Sequence, residues 1–173
     1  MAQIPVKLQA AAVYLEDSSI EVATGDVTLP SFDSLSETLS GAGILGEIDV
    51  PTPGHFGSME VGINWRTIQT EAVKLISSEV HALDIRGAFQ IFNQSGKLET
   101  KGIKVTIRAM GKGLDLGKLA QNSTTDTTTT LEVVYIKIFI DGIAVIELDK
   151  LNYVFRVNGQ DDLLDVRKIL GKS

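Results

Sequence analysis

Apolar and polar residues alternate one by one along four segments of the chain. These segments span residues 59–67, 83–91, 103–109 and 151–157. A period of two residues places successive side chains on opposite faces of a strand. One dry face opposite one solvated face is typical of antiparallel sheets. The pattern therefore predicts a mainly β protein with antiparallel strands.

A further strand is indicated where the alternation is lost. Residues Leu131–Ile140 are apolar at both alternating sets of positions, except at Glu132 and Lys137. We expect a strand that is covered on both faces, by its own domain and by a neighbouring subunit.

Turn-forming residues separate several of these segments. Asn93-Gln94-Ser95-Gly96 and Asp141-Gly142 are typical of hairpin turns. The apolar positions change from even to odd numbers across residues 24–26, which predicts a bulge or turn there.

Helix signals are confined to two short segments. Thr70 is a suitable cap for a helix over residues 71–77. A second helix is predicted from Asp161 to Leu170, because acidic residues open this segment, basic residues end it and Gly171 follows. Its apolar stripe consists of Leu163, Val166, Ile169 and Leu170.

Two segments fit neither pattern. Residues 31–58 form a long stretch without clear periodicity, yet they carry too many apolar side chains for a linker. We expect an extended loop region that is buried in its own domain or exposed as a contact surface. Residues 121–130 are polar and contain six threonines, which predicts a loop or a hairpin arm.

Composition places these elements in one domain over residues 1–173, with 43% hydrophobic residues for a core. The net charge of -6 argues against gripping nucleic acid through its phosphates, although not against enclosing it. Without cysteines there are no disulfides or thiolate metal sites. No apolar run suits a signal peptide or a membrane span, so we expect synthesis in the cytoplasm and no stable membrane association.

The motif G-x-G-x-x-G occurs once, at Gly41, Gly43 and Gly46. A dinucleotide site needs this motif between a buried strand and a helix. Here a Ser-rich stretch precedes it, and the prolines at 51 and 53 prevent a useful helix after it. A flexible or tightly turned loop is the better interpretation.

The remaining polar residues indicate no catalysis. His55 and His81 have no further ligands at metal-site spacing. Ser58 lies near His55, but no strand-turn-helix elbow surrounds it. The sequence predicts no catalytic residue, no cofactor and no metal, and therefore a protein that is not an enzyme.

A basic stripe is formed by Lys104, Arg108 and Lys112, which fall on one face of a strand at four-residue spacing. One interpretation is an ordinary solvated face. The other is an edge that forms salt bridges with an acidic neighbour. The sequence leaves both open.

One string of residues carries a family resemblance. It runs from Leu29-Pro30-Ser31 through Thr38–Ile44 and Gly46–Asp49 to Pro51 and Gly54–Met59, with Trp65-Arg66 after it. This string, with the acidic C-terminal helix, resembles the major tail tube proteins of contractile-tailed phages. The resemblance covers nearly the whole chain, and the part from Gly41 to Met59 is its specific part.

The resemblance implies an antiparallel β-sandwich or barrel-like tail tube fold with a short flanking helix and a short C-terminal helix. It implies hexameric rings, with the sheets of all subunits joined into an inner barrel, that stack into a tube inside a contractile sheath. Implied partners are copies of the chain, the sheath protein, a baseplate or initiator and a tape measure protein. DNA passes through the bore without specific binding, and some acidic residues are expected to face it. The implied location is the virion tail, assembled in the bacterial cytoplasm.

We expect the contacts between subunits and rings in residues 40–56 and in the Thr-rich arm. Glu47 and Asp49 are expected to pair with Lys104 or Arg108 of a neighbour. The predicted interface residues are Gly41, Gly43, Ile44, Gly46, Glu47, Asp49, Pro51, His55, Phe56, Lys104, Arg108, Thr127 and Thr128.

Three alternatives stay open at this point. The same tube chemistry serves tail-like bacteriocins and type VI secretion systems. A monomeric β-sandwich binding module, such as a lectin, is a further possibility, although few aromatic residues are available for it. An enzyme is the third alternative, and no set of residues supports it.

Overall fold

The structure is a computed structural model, and it describes residues 3–15, 21–22 and 25–172. Within this part the chain forms twelve strands and two short helices. The strands are β1 (Ile4–Leu15), β2 (Glu21–Val22), β3 (Val27–Thr28), β4 (Ser34–Ser40), β5 (Glu47–Phe56), β6 (Glu60–Trp65), β7 (Val80–Phe92), β8 (Leu98–Asp115), β9 (Thr127–Ile140), β10 (Ile143–Asp149), β11 (Val154–Val157) and β12 (Gln160–Asp161). The helices are α1 (Thr70–Lys74) and α2 (Leu164–Ile169).

Ten strands form one antiparallel sheet. Its main path runs β12-β11-β10-β9-β8-β7-β1-β2, while β6 pairs with the first half of β9 and β3 pairs with β6. Strands β4 and β5 form a separate two-stranded hairpin. The prediction of a mainly β, antiparallel fold with two short helices is confirmed.

The core follows the period-two pattern of the sequence. Val61, Ile63 and Trp65 of β6, with Met59 just before it, are buried in the core, while Glu60, Gly62 and Asn64 between them are exposed or half-buried. On the other strands the buried residues include Leu83, Ile85, Val105, Ile107, Leu131, Val133, Ile136 and Leu148. Ala72 of α1 and Leu75, which directly follows this helix, also belong to the cluster. The hairpins β7–β8 and β9–β10 turn at residues 93–96 and 141–142, as predicted.

Strand β9 owes its uninterrupted apolar run largely to a bulge. Arg108 pairs with Tyr135, but the next residue of β8 pairs with Val133, so Val134 has no opposite residue. The buried residues are therefore odd-numbered before the bulge and even-numbered after it, from Ile136 on. The expected cover on both faces is not needed to explain the pattern, because one face is the core and the other is half-buried.

Both helices are shorter than predicted. Helix α1 ends at Lys74, and its cap position is Gln69 without a side-chain cap bond, so the prediction of a Thr70 cap is wrong. Helix α2 begins only at Leu164, because Asp161 belongs to β12 and its carboxylate accepts the backbone N–H of Leu163 (3.1 Å).

The apolar stripe of α2 is also not a buried face of the protomer. Leu163 is buried, while the exposed fraction of the other three residues reaches 41% or more; these are Val166, Ile169 and Leu170.

Three further segments depart from the predictions. The supposed extended loop at 31–58 is the β4–β5 hairpin. The Thr-rich segment forms a loop only over residues 121–126, because its last four residues begin β9. The strand predicted at 151–157 starts only at Val154, after a turn in which Tyr153 has a φ of 55°.

The turn predicted at residues 24–26 lies only partly within the described residues. Residue 24 lies outside the described residues, and Gly25 donates its N–H to the Asn64 carbonyl at 2.7 Å.

In the described part of the chain, neither helix has the length and apolar character to cross a membrane.

Candidate functional site: assembly surfaces

The β4–β5 hairpin exposes an unusual amount of apolar surface. Its side chains Leu35, Leu39, Ile48 and Val50 are exposed, and Leu45 at the tip is fully exposed. Only the base packs on the domain, where the Phe56 ring meets Phe32 and Phe155 edge-on, with ring centroids 5.5 and 5.1 Å apart. Isolated two-stranded hairpins are marginal in water, and exposed apolar patches of this kind are typical of contact surfaces.

The hairpin is also acidic. Residues 31–58 contain Asp33, Glu37, Glu47 and Asp49 and no lysine or arginine. Thr38 donates to Asp49 at 2.7 Å, and the structure records no ion pair for these four carboxylates within the described chain. An apolar surface edged by carboxylates suits a partner that offers apolar side chains and cations.

The three glycines of the sequence motif form the hairpin tip. Gly41, Gly43 and Gly46 have φ angles of 138°, 94° and 94°, and Ile44 donates its N–H to the Gly41 carbonyl (3.1 Å). Such φ angles favour glycine. Strand β5 follows the motif where a dinucleotide site needs a helix, so the interpretation as a turned loop is confirmed.

The structure brings together nine of the predicted interface residues on the hairpin. They are Gly41, Gly43, Ile44, Gly46, Glu47, Asp49, Pro51, His55 and Phe56. His55 and Pro51 are exposed on β5, while Phe56 is half-buried at the base. Their contact with a second copy of the chain stays a prediction.

The other four predicted residues lie elsewhere. Thr127 is buried in the protomer and donates to the Leu116 carbonyl (3.1 Å), which leaves it no surface for a neighbour, and Thr128 is half-buried beside it. Lys104 already forms an ion pair with Asp84 at 3.3 Å. Arg108 lies over the ring of Tyr135, 5.2 Å from its centroid.

Sequence reasoning missed an open edge of the large sheet. Strand β1 pairs with β7 along its length, but on its other side β2 pairs only with Val13 and Tyr14. The backbone of residues 4–11 has no further strand beside it in the described chain, and Ile4, Val6 and Leu8 are exposed there. Unpaired edges are templates for pairing with another chain. The alternating residues of this segment were a signal that could have revealed it.

The C-terminal segment is fixed by a two-pronged ion pair. Arg167 donates to both carboxylate oxygens of Asp161 at 3.2 and 2.6 Å and to the Tyr153 carbonyl at 2.8 Å. The hydrogen bonds from Arg167 hold the pKa of the Asp161 carboxyl below its usual value. These bonds join α2 to β12 and to the turn before β11, while Val166, Ile169 and Leu170 stay exposed.

The two histidines lie in different environments. His81 is buried in β7 at 2.9 Å from the Ser77 hydroxyl, and His55 is exposed. Among the described residues, the acidic residues and histidines form no cluster that could hold a metal ion.

Comparisons with known proteins identify the family of the chain. Residues 5–171 match the family described as phage tail tube protein FII. The tail tube protein of Escherichia phage P2 is 27% identical over 97% of this chain and 98% of its own length. The major tail tube protein of Serratia phage KSP20 is 23% identical over 91% of each chain.

A solved structure shares the fold. It is a chain of an extracellular contractile injection system, the PVC sheath–tube complex in its extended state, with 17% identity and a TM-score of 0.51. The match covers 79% of this chain and 91% of that one. The relatives found are structural proteins of tails. Since the family model spans almost the entire sequence, the chain belongs to the phage tail tube protein FII family and is a structural subunit of a phage tail tube.

Proposed function

We propose that this protein forms hexameric rings that stack into a hollow, rigid tube inside a contractile sheath. The tube conducts DNA and is driven through the target envelope when the sheath contracts. The sheath protein, a baseplate or initiator and a tape measure protein are its partners in the tail. Its activity is mechanical, and we propose that it catalyses no reaction.

The exposed hairpin is the observation that carries this proposal. Leu45 and its apolar neighbours on β4 and β5 are in water in the single protomer. Their burial against a second copy would stabilise an assembly by roughly 1.5–3 kcal/mol for each fully buried Leu or Ile side chain. A contact between a projecting hairpin and a different surface of the next copy is heterologous, and repeated heterologous contacts give open filaments.

The open edge of β1 supports ring closure. A strand from a neighbour that paired with residues 4–11 would continue the antiparallel sheet from one protomer to the next. Closing such a sheet into a barrel removes its free edges. The exposed Ile4, Val6 and Leu8 would then lie within a wall that the subunits share.

A second candidate is a tube of a contractile injection system or tail-like bacteriocin. The fold similarity to the injection-system chain supports this candidate, because a tube of the same stacked rings could carry protein cargo or no cargo. If the isolated particles that contain the tube also carry packaged DNA, the tube belongs to a phage and not to an injection system or a bacteriocin.

Negative-stain microscopy of the purified protein, with light-scattering mass across a concentration series, tests the proposal. We expect rings or tubes with a central hole and a particle mass that rises in steps of six protomers. Tubes that need an initiator are tested by adding purified baseplates as seeds. A monomer at every concentration, with and without seeds, would contradict the proposal.

A further inference from the structure

The two faces of the central sheet, β7 to β10, are covered very differently. On the core face Leu83, Ile107 and Leu148 pack with α1 and with the base of the hairpin at Phe56. The opposite face, which we call the outer face, carries polar and charged side chains that are half-buried or exposed.

Six residues of the outer face form a continuous row across neighbouring strands, which we call the charged row. Each is the direct cross-strand partner of the next: Asp84, Thr106, Lys137, Glu147, Arg156 and Asp161. The four charged residues from Lys137 to Asp161 alternate in sign. Direct cross-strand neighbours of opposite charge attract each other.

Side-chain contacts run along almost the whole row. Thr106 donates to Asp84 at 2.8 Å. Glu147 accepts from Arg156 at 3.0 Å and lies 3.8 Å from the Lys137 ammonium. Arg156 also lies 3.4 Å from Asp161. The carboxylates of the row are therefore occupied within the protomer.

Three further cations flank the row, and each has a partner in the same chain. Lys104 lies 3.3 Å from Asp84 and 5.8 Å from the centre of the Phe139 ring. The Arg86 guanidinium lies 3.7 Å from Asp84 and over the Tyr14 ring. Arg108 lies over Tyr135. A cation over an aromatic face is attracted by the ring quadrupole.

The outer face is thus close to neutral, although the chain is acidic. Its central rows carry five basic residues (86, 104, 108, 137 and 156) and four acidic ones (84, 147, 149 and 161), a net charge of +1. The whole chain has a net charge of -6, and the hairpin alone contributes four carboxylates and no basic residue. The surplus of acidic groups lies away from this face.

We propose that the outer face, with the charged row at its centre, lines the bore of the assembled tube and forms a self-neutralised surface along which duplex DNA slides. The inference rests on the proposed function. If the sheets close into a barrel, α1 and the hairpin base must lie outside, since on the inner side they would fill the bore. The outer face of the protomer is then the inner wall of the tube.

The ion pairs explain how such a wall passes DNA. Lysine and arginine bind DNA by neutralising its phosphates, which releases the counterions condensed on the DNA. On the outer face four of the five cations already pair with a carboxylate, and Arg108 lies over the Tyr135 ring. A strongly acidic wall would repel the duplex instead. The assignment agrees with the expectation that some acidic residues face the bore, and it adds that every acidic residue of the charged row is paired with a basic residue or a hydroxyl.

The absence of cysteine from the chain permits a direct test of the wall. We would compare two single variants, Lys104→Cys on the outer face and Lys168→Cys on α2. Both lysines are partly exposed and paired with a carboxylate, with side-chain exposures of 41% and 65%. Assembled tubes are treated with N-ethylmaleimide, or with a maleimide-activated carrier protein wider than the bore, and modification is read by mass after dissociation.

We expect N-ethylmaleimide to modify both variants in tubes and the bulky reagent to modify only Lys168→Cys. In unassembled protomers both reagents should modify both. Equal modification of the two variants by the bulky reagent, or protection of Lys104→Cys from both reagents, would overturn the wall assignment while leaving the tube in place. If Lys104→Cys alone fails to assemble, Arg86→Cys replaces it. If the unmodified protein forms no tubes, the proposed function fails first, and this inference with it.

Discussion

Gly54 lies so close to Leu163 that a Cβ atom on residue 54 would stand 2.5 Å from Leu163 Cδ1 and 3.0 Å from its Cγ. Gly54 belongs to β5 of the hairpin and has a φ of 71°, while Leu163 directly precedes α2 and is buried. The contact joins the hairpin base to the C-terminal segment, which are more than a hundred residues apart in the chain. Only a residue without a side chain fits between them.

We expect Gly54→Ala to destabilise the protein by about 1–3 kcal/mol, because it adds a steric overlap with Leu163 to a strained backbone angle. Urea denaturation measures the change. The matched control is Gly96→Ala, which has a similar φ of 76° and nothing within 4 Å of the new Cβ. A double variant with Leu163→Ala should show coupling between the two sites. Equal losses for Gly54→Ala and Gly96→Ala would contradict the steric explanation.

The core contains one polar contact whose removal should be costly. The Trp65 indole donates to the Thr129 hydroxyl at 3.1 Å, and that hydroxyl lies 3.4 Å from the Ala72 carbonyl. Thr129→Val should lower the free energy of unfolding by about 1–3 kcal/mol, because the indole N–H loses its partner in a dry site. Thr128→Val, one residue away and half-buried, is the control and should change stability much less. Thermal or urea unfolding of the two variants measures the losses. Equal losses for Thr129→Val and Thr128→Val would contradict this role of Thr129.

The ion pair between Asp161 and Arg167 predicts a pH-dependent contribution to stability. Because Arg167 lowers the pKa of Asp161 in the folded state, the contribution is present above the unfolded-state pKa of about 4 and is lost as the pH falls through the lowered pKa. Asp161→Asn should therefore lower the free energy of unfolding at neutral pH, and this loss relative to the unmodified protein should become smaller under acidic conditions. Denaturant midpoints of both proteins, measured at neutral and at acidic pH, give the two losses. Asp165→Asn, at a 90% exposed side chain, is the control, and a difference for Asp161→Asn that does not change with pH would refute the linkage.

The hairpin tip offers a test of ring stacking that spares the fold. Leu45→Ser should leave the unfolding free energy within about 0.5 kcal/mol, because Leu45 is fully exposed in the protomer. It should nevertheless shorten or abolish tubes in negative stain, because the variant would lose the apolar contact that we propose between the tip and the next ring. Leu119→Ser, at another exposed leucine in a loop, is the matched control. If Leu45→Ser formed tubes of normal length, the hairpin tip would not take part in ring stacking.

The charged row predicts how the tube treats DNA. Glu147→Gln removes the carboxylate that both Lys137 and Arg156 contact, so Lys137 becomes available to phosphates and Arg156 keeps only Asp161 as a carboxylate partner. Variant tubes should retain several-fold more short duplex DNA than unmodified tubes at low ionic strength, and salt should reverse the difference. Co-sedimentation measures retention. Glu99→Gln changes the net charge equally at the start of β8 and should have little effect; equal retention by the two variants would argue against a role of the row.

The sequence predicted the central strands well because their alternation has a direct physical cause. On β6 and β7 one face packs in the protein's own core, so every second residue is apolar. The hairpin at 31–58 gave no such signal, because both of its faces are largely exposed in the protomer. On β9 the bulge at Val134 interrupted the period and imitated a strand with two dry faces.

The candidate surfaces were predictable only in part. The apolar residues and glycines of residues 31–58 identified a contact segment, and the family resemblance gave it a role. The charged row escaped prediction, since Asp84 and Asp161 are brought into one row by pairings among six strands. Lys104 and Asp84 lie on different strands, so the sequence did not reveal their ion pair either.

The sequence by itself determined the class of the fold, the hairpin turns at 93–96 and 141–142 and the family of the protein, because these depend on patterns within a few neighbouring residues. Only the tertiary structure decided which side chains were left without cover and which charges neutralise each other. Those properties depend on sheet register, and register is set by the packing of distant strands rather than by any local pattern.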